Sequence, residues 1–97
     1  MLTSHKLLQQ FWHDARYDKE KVRVWYTDRG AHNDWSSVNG ADISLEPYYM
    51  EIRTPGGAKP VPYHRILLIT CDGVIVFENR KIGGLAGRML DEGREKS

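Results

Sequence analysis

Two short polar clusters contain the side chains of this sequence that are best suited to bind an anion. The first cluster consists of Tyr26, Asp28, Arg29 and Gly30, and the second is the Pro-Tyr-His-Arg segment at positions 62–65. An arginine offers planar, bidentate donors to phosphate oxygens. A glycine lets the backbone come close to a ligand. The residue types therefore predict an anion site that is assembled from two separate segments.

A terminus of single-stranded RNA matches this set of side chains. We expect the two arginines to hold a terminal phosphate, and His64 to donate to that phosphate or to a ribose oxygen. Tyr26 and Tyr63 would stack the last base or shape the pocket. Asp28 would orient Arg29 or accept a hydrogen bond from a ribose hydroxyl. An Asp-Arg-Gly turn and a Tyr-His-Arg strand segment are also ordinary structural features, so spacing alone leaves both interpretations open.

Hydrophobic periodicity predicts the elements that must position the two clusters. Residues 4–15 carry apolar side chains at helical spacing. From Lys21 the period changes to two, which predicts a strand with one apolar face that has the first cluster at its exit. Residues 28–40 have the composition of a loop, and 41–45 are too short to assign. Further strands are predicted at 48–53, 63–71 and 74–77.

The Asp-Gly sequence at 72–73 predicts a two-residue type I′ hairpin between the last two strands. Such a loop pairs Cys71 with Val74, and counting outward it places Arg65 opposite Arg80. Like charges that lie opposite each other are destabilising, so this pair indicates an anion or a carboxylate between them, unless both side chains point into water. Arg80 therefore joins the predicted site.

The length and composition predict one small domain, and the pattern of elements predicts an α+β fold in which an N-terminal helix packs on an antiparallel sheet of about four strands. A chain of 97 residues has room for one thin core. The net charge of +1 argues against binding duplex nucleic acid through bulk positive charge. A lone cysteine and the lack of a signal-like or membrane-spanning run fit a cytoplasmic protein. We expect residues 1–82 to form the domain and the polar residues 83–97 to be a frayed tail.

The sequence has no spacing that is typical of catalysis or of metal binding. Its four histidines are scattered, and no pair has the spacing of a zinc site. We therefore predict no enzymatic activity, no metal and no cofactor. Two alternatives stay open. One is a phosphodiesterase or ribonuclease with His64 as general base. The other is a protein-interaction module that uses Trp25, Trp35 and Tyr49 on exposed faces.

At its two clusters the sequence resembles the RNA cyclic-group end recognition domain, also called the RNA repair domain, a small family found largely in archaea. The resemblance extends from Leu8 to about Arg80. The motifs that carry it are Tyr-x-Asp-Arg-Gly at 26–30 and Pro-Tyr-His-Arg-Ile at 62–66, followed by the Asp-Gly pair. Together these motifs, in the family's order, are a more specific signal than either one alone.

The resemblance implies a function in RNA repair or processing. Members of this family look like recognition modules for RNA ends that bear a 2′,3′-cyclic phosphate, and they are joined to RNA-end-processing enzymes. We expect this chain to be a monomeric, non-enzymatic domain that binds the 3′ end of single-stranded RNA and has no contact with membranes.

Overall fold

The computed structural model describes residues 4–14, 16–31, 34–80 and 87–90. Within these ranges the chain forms one N-terminal helix and seven strands in two antiparallel sheets, which confirms the α+β class. In chain order the elements are α1 (Ser4–His13), β1 (Val22–Thr27), β2 (Trp35–Asn39), β3 (Ile43–Leu45), β4 (Tyr49–Thr54), β5 (Gly57–Pro62), β6 (Ile66–Cys71) and β7 (Val74–Glu78). Short 3-10 turns precede β1, β3 and β6 at Lys19–Lys21, Gly40–Asp42 and Tyr63–Arg65.

Helix α1 follows the apolar stripe that the sequence predicts. Leu8 and Phe11 are buried, whereas Gln9 and Gln10 on the other face are exposed. Burying side chains of this size stabilises the fold by about 1.5–3 kcal/mol each, which offsets the weak stability of a ten-residue helix on its own. The helix is tied to the second polar cluster, because the hydroxyl of Ser4 donates to the carbonyl oxygen of Tyr63 at 3.3 Å.

The helix and both sheets enclose one main core. The four-stranded sheet has the order β2-β1-β6-β7, and the three-stranded sheet has the order β3-β4-β5. The second sheet was not predicted from the sequence. The buried core residues are Leu8 and Phe11 from α1, Val22, Val24, Tyr26, Val38, Ile66 and Ile69 from the first sheet, and Ile43, Met50, Ile52 and Val61 from the second.

Strand β1 is buried on both faces, whereas its alternating pattern predicts one wet face. Trp25 is only 2 % exposed, and its indole nitrogen donates to the carbonyl oxygen of Met89 at 3.2 Å. Residues 87–90 are helical, and Met89 packs with Trp25 and Leu68 in a second cluster. The use of Trp25 as an exposed anchor for a partner is therefore wrong. The other residues of the predicted tail, 83–86 and 91–97, lie outside the described residues.

The turn at 72–73 has the backbone that a type I′ hairpin requires. Asp72 and Gly73 both have positive φ, 54° and 82°, and Cys71 pairs with Val74 as expected. The ladder then shifts register between Ile69 and Thr70. Leu68 therefore lies opposite Glu78, whereas a continuous ladder from Cys71 and Val74 would place it opposite Phe77. The predicted pairing of Arg65 with Arg80 is wrong for this reason.

Three strands of the structure fall where the sequence indicates a loop or no element. Strand β2 lies within the predicted loop 28–40, and β3 lies in the segment 41–45 that is too short to assign from the sequence. Strand β5 is the third, and it contains two prolines. Proline is tolerated in β5 because this strand is at the edge of its sheet. The third predicted strand begins at Ile66 rather than at Tyr63, because residues 63–65 form a 3-10 turn.

Candidate functional site

Both polar clusters lie at the same end of the four-stranded sheet. Strand β1 leaves the sheet there, and Tyr26 near its end pairs with Ile66 at the start of β6. The end of β7 reaches the same place, because the side-chain amide of Asn79 donates to the carbonyl oxygen of Ile66 at 3.0 Å. The first cluster, the turn at 63–65 and Arg80 are thus brought to one end of the sheet, which we call the site end.

Asp28 is held by partners from two different elements of the site end. The hydroxyl of Ser36 in β2 donates to Asp28 Oδ2 at 2.7 Å. The ammonium of Lys59 in β5 donates to Asp28 Oδ1 at 3.0 Å and joins the two sheets. The hydrogen bond from Ser36, together with Lys59, lowers the pKa of Asp28. Within the described residues Asp28 forms no hydrogen bond or ion pair with Arg29, so the predicted contact between the two is not seen; its carboxylate contacts Ser36 and Lys59 instead.

Tyr26 lies beneath this ion pair and not on the surface. Its side chain is 5 % exposed and belongs to the main core. The ammonium of Lys59 lies 5.4 Å from the centre of its ring, within the range of a cation–π contact. Burial raises the pKa of Tyr26, so the phenol stays neutral at ordinary pH. A ring this buried cannot stack a base, and only the pocket-shaping role of Tyr26 remains.

Tyr63 connects three segments of the chain. Its ring stacks on His5 with 3.8 Å between ring centres and 9° between planes. Its hydroxyl donates to the carbonyl oxygen of Glu46, and its own carbonyl oxygen accepts from Ser4. Burial raises the pKa of Tyr63, which keeps the hydroxyl a neutral donor. Because one face of the ring is covered by His5, Tyr63 can offer a ligand at most the other face.

The remaining residues predicted for the site are exposed. Gly30 has a φ of +91°, a conformation that favours glycine, and its backbone lies on the surface of the loop. Four exposed side chains, which we call the outer layer, are Arg29, His64, Arg65 and Arg80. None of the four forms a hydrogen bond or an ion pair with any residue in the described ranges.

We call Tyr26, Asp28, Ser36, Lys59 and Tyr63 the inner layer, because all five are engaged with other parts of the protein. Sequence reasoning missed Ser36 and Lys59. Lys59 and Val61 are two residues apart and lie on the same face of β5, but this spacing would have indicated an inward-pointing lysine only if β5 itself had been recognised. Its position between an alanine and a proline is typical of a turn.

Other kinds of site are not seen in the described part of the chain. No three side chains of His, Cys, Asp or Glu come together there in a way that could hold a metal ion. No helix within the same ranges is long and apolar enough to cross a membrane. The fold and the site end thus define a small α+β domain with a basic, largely unpaired surface at the end of a sheet.

Comparison with known proteins identifies the family to which this domain belongs. The chain belongs to the family described as the MJ1316 RNA cyclic group end recognition domain, which it matches over residues 1–79. The match includes both polar clusters and ends one residue before Arg80. The family description indicates recognition of RNA cyclic-group ends, and the resemblance found in the sequence is confirmed. Neither a curated protein nor a solved structure matches the chain.

Proposed function

We propose that this domain binds the 3′ end of single-stranded RNA that carries a 2′,3′-cyclic phosphate, and that it leaves the RNA chemically unchanged. The observation that carries the proposal is the outer layer, a set of exposed cationic and imidazole side chains at one end of a sheet. Within the described ranges these side chains have no protein partners, so their donors are available to a ligand.

Each residue of the outer layer has a definite role in this proposal. Arg29 and Arg65 donate bidentate hydrogen bonds to the two free oxygens of the cyclic phosphate. His64 donates to the phosphate or to a ribose oxygen, and Arg80 adds positive charge. Gly30 lets the loop backbone approach the ligand. A cyclic phosphate diester carries a single negative charge, so a few well-placed donors suffice in a chain whose net charge is only +1.

The inner layer supports the outer layer without contacting the phosphate. Asp28 immediately precedes Arg29 and is held in place by Ser36 and Lys59. Tyr63 immediately precedes His64 and is held in place by His5 and Glu46. Ligand groups that are anchored in this way lose less freedom on binding. The setting we propose is cytoplasmic RNA repair or processing, in which the monomeric domain works beside enzymes that act on RNA ends.

The test is fluorescence anisotropy with short RNAs that differ only in a 3′-terminal cyclic phosphate, open phosphate or hydroxyl. We expect the cyclic end to bind most tightly. Replacing Arg29 by alanine removes one charge-assisted bidentate contact, so Arg29→Ala should weaken binding of the cyclic end about ten- to a hundred-fold.

Arg53→Ala is the matched control. Arg53 is an exposed arginine on the second sheet, in β4, and is outside both layers, so its replacement should change the affinity less than two-fold. Equal affinity for the three ends, or equal losses in the Arg29 and Arg53 variants, would contradict the proposal. The RNA is recovered after each titration, and opening of the cyclic phosphate that His64→Ala abolishes would favour the phosphodiesterase or ribonuclease alternative.

A further inference from the structure

A groove runs beside α1 and starts at the inner layer. Its volume is about 640 Å³, and one bank is formed by α1 residues His5, Gln9, Trp12 and His13. The other bank is the segment from β3 to Pro47. The two banks meet at Tyr63, because its ring stacks on His5 and its hydroxyl donates to Glu46. The groove therefore ends beside Tyr63, the first residue of the turn that carries His64 and Arg65.

The groove combines donors with an aromatic wall. His5, Gln9 and His13 recur every four residues, which places them on one face of α1. The ammonium of Lys19 lies 5.4 Å from the centre of the Trp12 ring. One lysine and two histidines among the lining residues stand against a single carboxylate, Glu46. Cations next to an aromatic surface are the combination that holds single-stranded nucleic acid without reading its sequence.

The far end of the groove is built on a close backbone approach. A Cβ added to Gly40 would lie 2.4 Å from the carbonyl oxygen of Lys19 and 3.2 Å from the Trp12 ring. Lys19 and Gly40 lie in two different 3-10 turns, and these turns pack too closely for a side chain at position 40. This contact fixes Lys19 and Trp12 relative to each other. Within the described ranges, the indole nitrogen of Trp12 is buried without a hydrogen-bond acceptor.

We propose that this groove holds the nucleotides that precede the RNA end bound by the outer layer. The inference rests on the proposed function and extends it, because it assigns a second part of the ligand to a second part of the surface. His5 and His13 are eight residues apart, about 12 Å along the helix axis. Stacked nucleotides of one strand are spaced about 3.4 Å apart. The groove thus accommodates about three or four nucleotides, with phosphates near His13 and Lys19.

The test compares ligands of one, two, four, six and eight nucleotides that all end in a 2′,3′-cyclic phosphate. We expect affinity to rise with each nucleotide up to about five and then to level off. The variants His13→Ala and Lys19→Ala should each weaken binding of the eight-nucleotide RNA about three- to ten-fold and leave binding of the single cyclic nucleotide unchanged. Gln10→Ala is the matched control, because Gln10 is exposed on α1 and does not line the groove.

The outcomes separate this inference from the proposed function. Equal affinity at all lengths, or groove variants that behave like Gln10→Ala on the long RNA, would overturn the groove assignment and leave end recognition intact. A length-dependent gain that the groove variants remove, together with equal affinity for the three 3′ ends in the anisotropy test of the proposed function, would support the groove and contradict the proposed function. His13 and Lys19 are exposed, and thermal unfolding of each variant ensures that a loss of binding is not a loss of fold.

Discussion

The inner and outer layers of the site end both contain cationic side chains and use them in opposite ways. Lys59 of the inner layer is bound to Asp28 and lies over Tyr26. Arg29, one residue after Asp28, is exposed and forms no such bond within the described ranges. Adjacent positions of one motif therefore have different tasks. Asp28 helps to hold the loop from which Arg29 extends, and Arg29 is left available to a ligand.

This difference predicts that variants of the two layers separate stability from binding. Inner-layer variants should lower the free energy of unfolding, and they should lower affinity only as far as the loop loses its position. Outer-layer variants should lower affinity and leave stability almost unchanged.

Asp28→Ala should cause the largest loss of stability among the variants considered. It removes the acceptor of two hydrogen bonds and leaves the Lys59 ammonium without its counter-charge. Hydrogen bonds to charged groups contribute about 1.5–3 kcal/mol each when buried, but this pair is partly exposed, so we expect a loss of about 2 kcal/mol. Urea unfolding measures it. Asp42→Ala, at an exposed carboxylate in a 3-10 turn, is the control and should change stability by less than about 0.5 kcal/mol.

A smaller effect should appear in the pH dependence of Asp28→Asn relative to the unchanged chain. The pKa of Asp28 is lowered in the folded state by Ser36 and then by Lys59. The charge of Asp28 therefore contributes stability above the unfolded pKa of about 3.9, and this contribution is lost as the pH falls through the folded pKa. The stability gap between the two chains should be constant from about pH 6 to 8 and should narrow below about pH 4.

Asp14 does not disturb this comparison. Its hydrogen bonds with Arg16 lower the pKa of Asp14 to about 2, but the pair is present in both chains and its contribution cancels. A gap that stays constant down to pH 2 would show that the charge of Asp28 does not stabilise the fold.

Tyr63→Phe should have a smaller effect again. The variant keeps the ring that stacks on His5 and loses only the hydroxyl that donates to Glu46. The loss of one neutral hydrogen bond predicts about 1 kcal/mol, a decrease in Tm of about 4–8 °C for a domain of this size. Calorimetry of Tyr48→Phe provides the control, because Tyr48 is 87 % exposed. Equal Tm values for the two variants would mean that the Glu46 contact does not hold the second cluster.

The outer layer could be predicted from the sequence, and most of the inner layer could not. The outer residues stand out by type, because an arginine or a histidine next to a predicted strand end is conspicuous in a short motif. Tyr26, Asp28 and Tyr63 were found with them, but their partners were not. Ser36 lies in a segment of loop-like composition and Lys59 lies between residues typical of a turn. Their pairing with Asp28 is a long-range contact between two sheets, which local periodicity does not encode.

The same distinction applies to the fold. Helix α1, strand β1 and the Asp-Gly turn depend on local patterns, and each was predicted close to its observed position. The burial of Trp25 depends on Met89, which is distant in sequence. The register shift at Ile69 also has no local signal. An isolated strand pattern shows which positions alternate, but it does not show what covers each face.

The smallest expected change in stability belongs to Arg65→Ala, and it makes the comparison sharpest because binding is measured on the same variant. Arg65 is exposed and has no protein partner within the described ranges, so its loss should change the free energy of unfolding by less than about 0.5 kcal/mol. Each phosphate contact with a single strand adds about 0.7 to the slope of log affinity against log salt.

The salt slope for an RNA with a cyclic end should therefore become shallower by about 0.7 in Arg65→Ala, and Arg53→Ala should leave it unchanged. Titrations from about 50 to 200 mM salt provide the measurement. A stable Arg65→Ala variant with an unchanged slope would mean that Arg65 does not contact the phosphate, and the outer layer would then be limited to the loop that carries Arg29. A destabilised Arg65→Ala variant would mean that Arg65 contacts other parts of the protein and belongs to the inner layer.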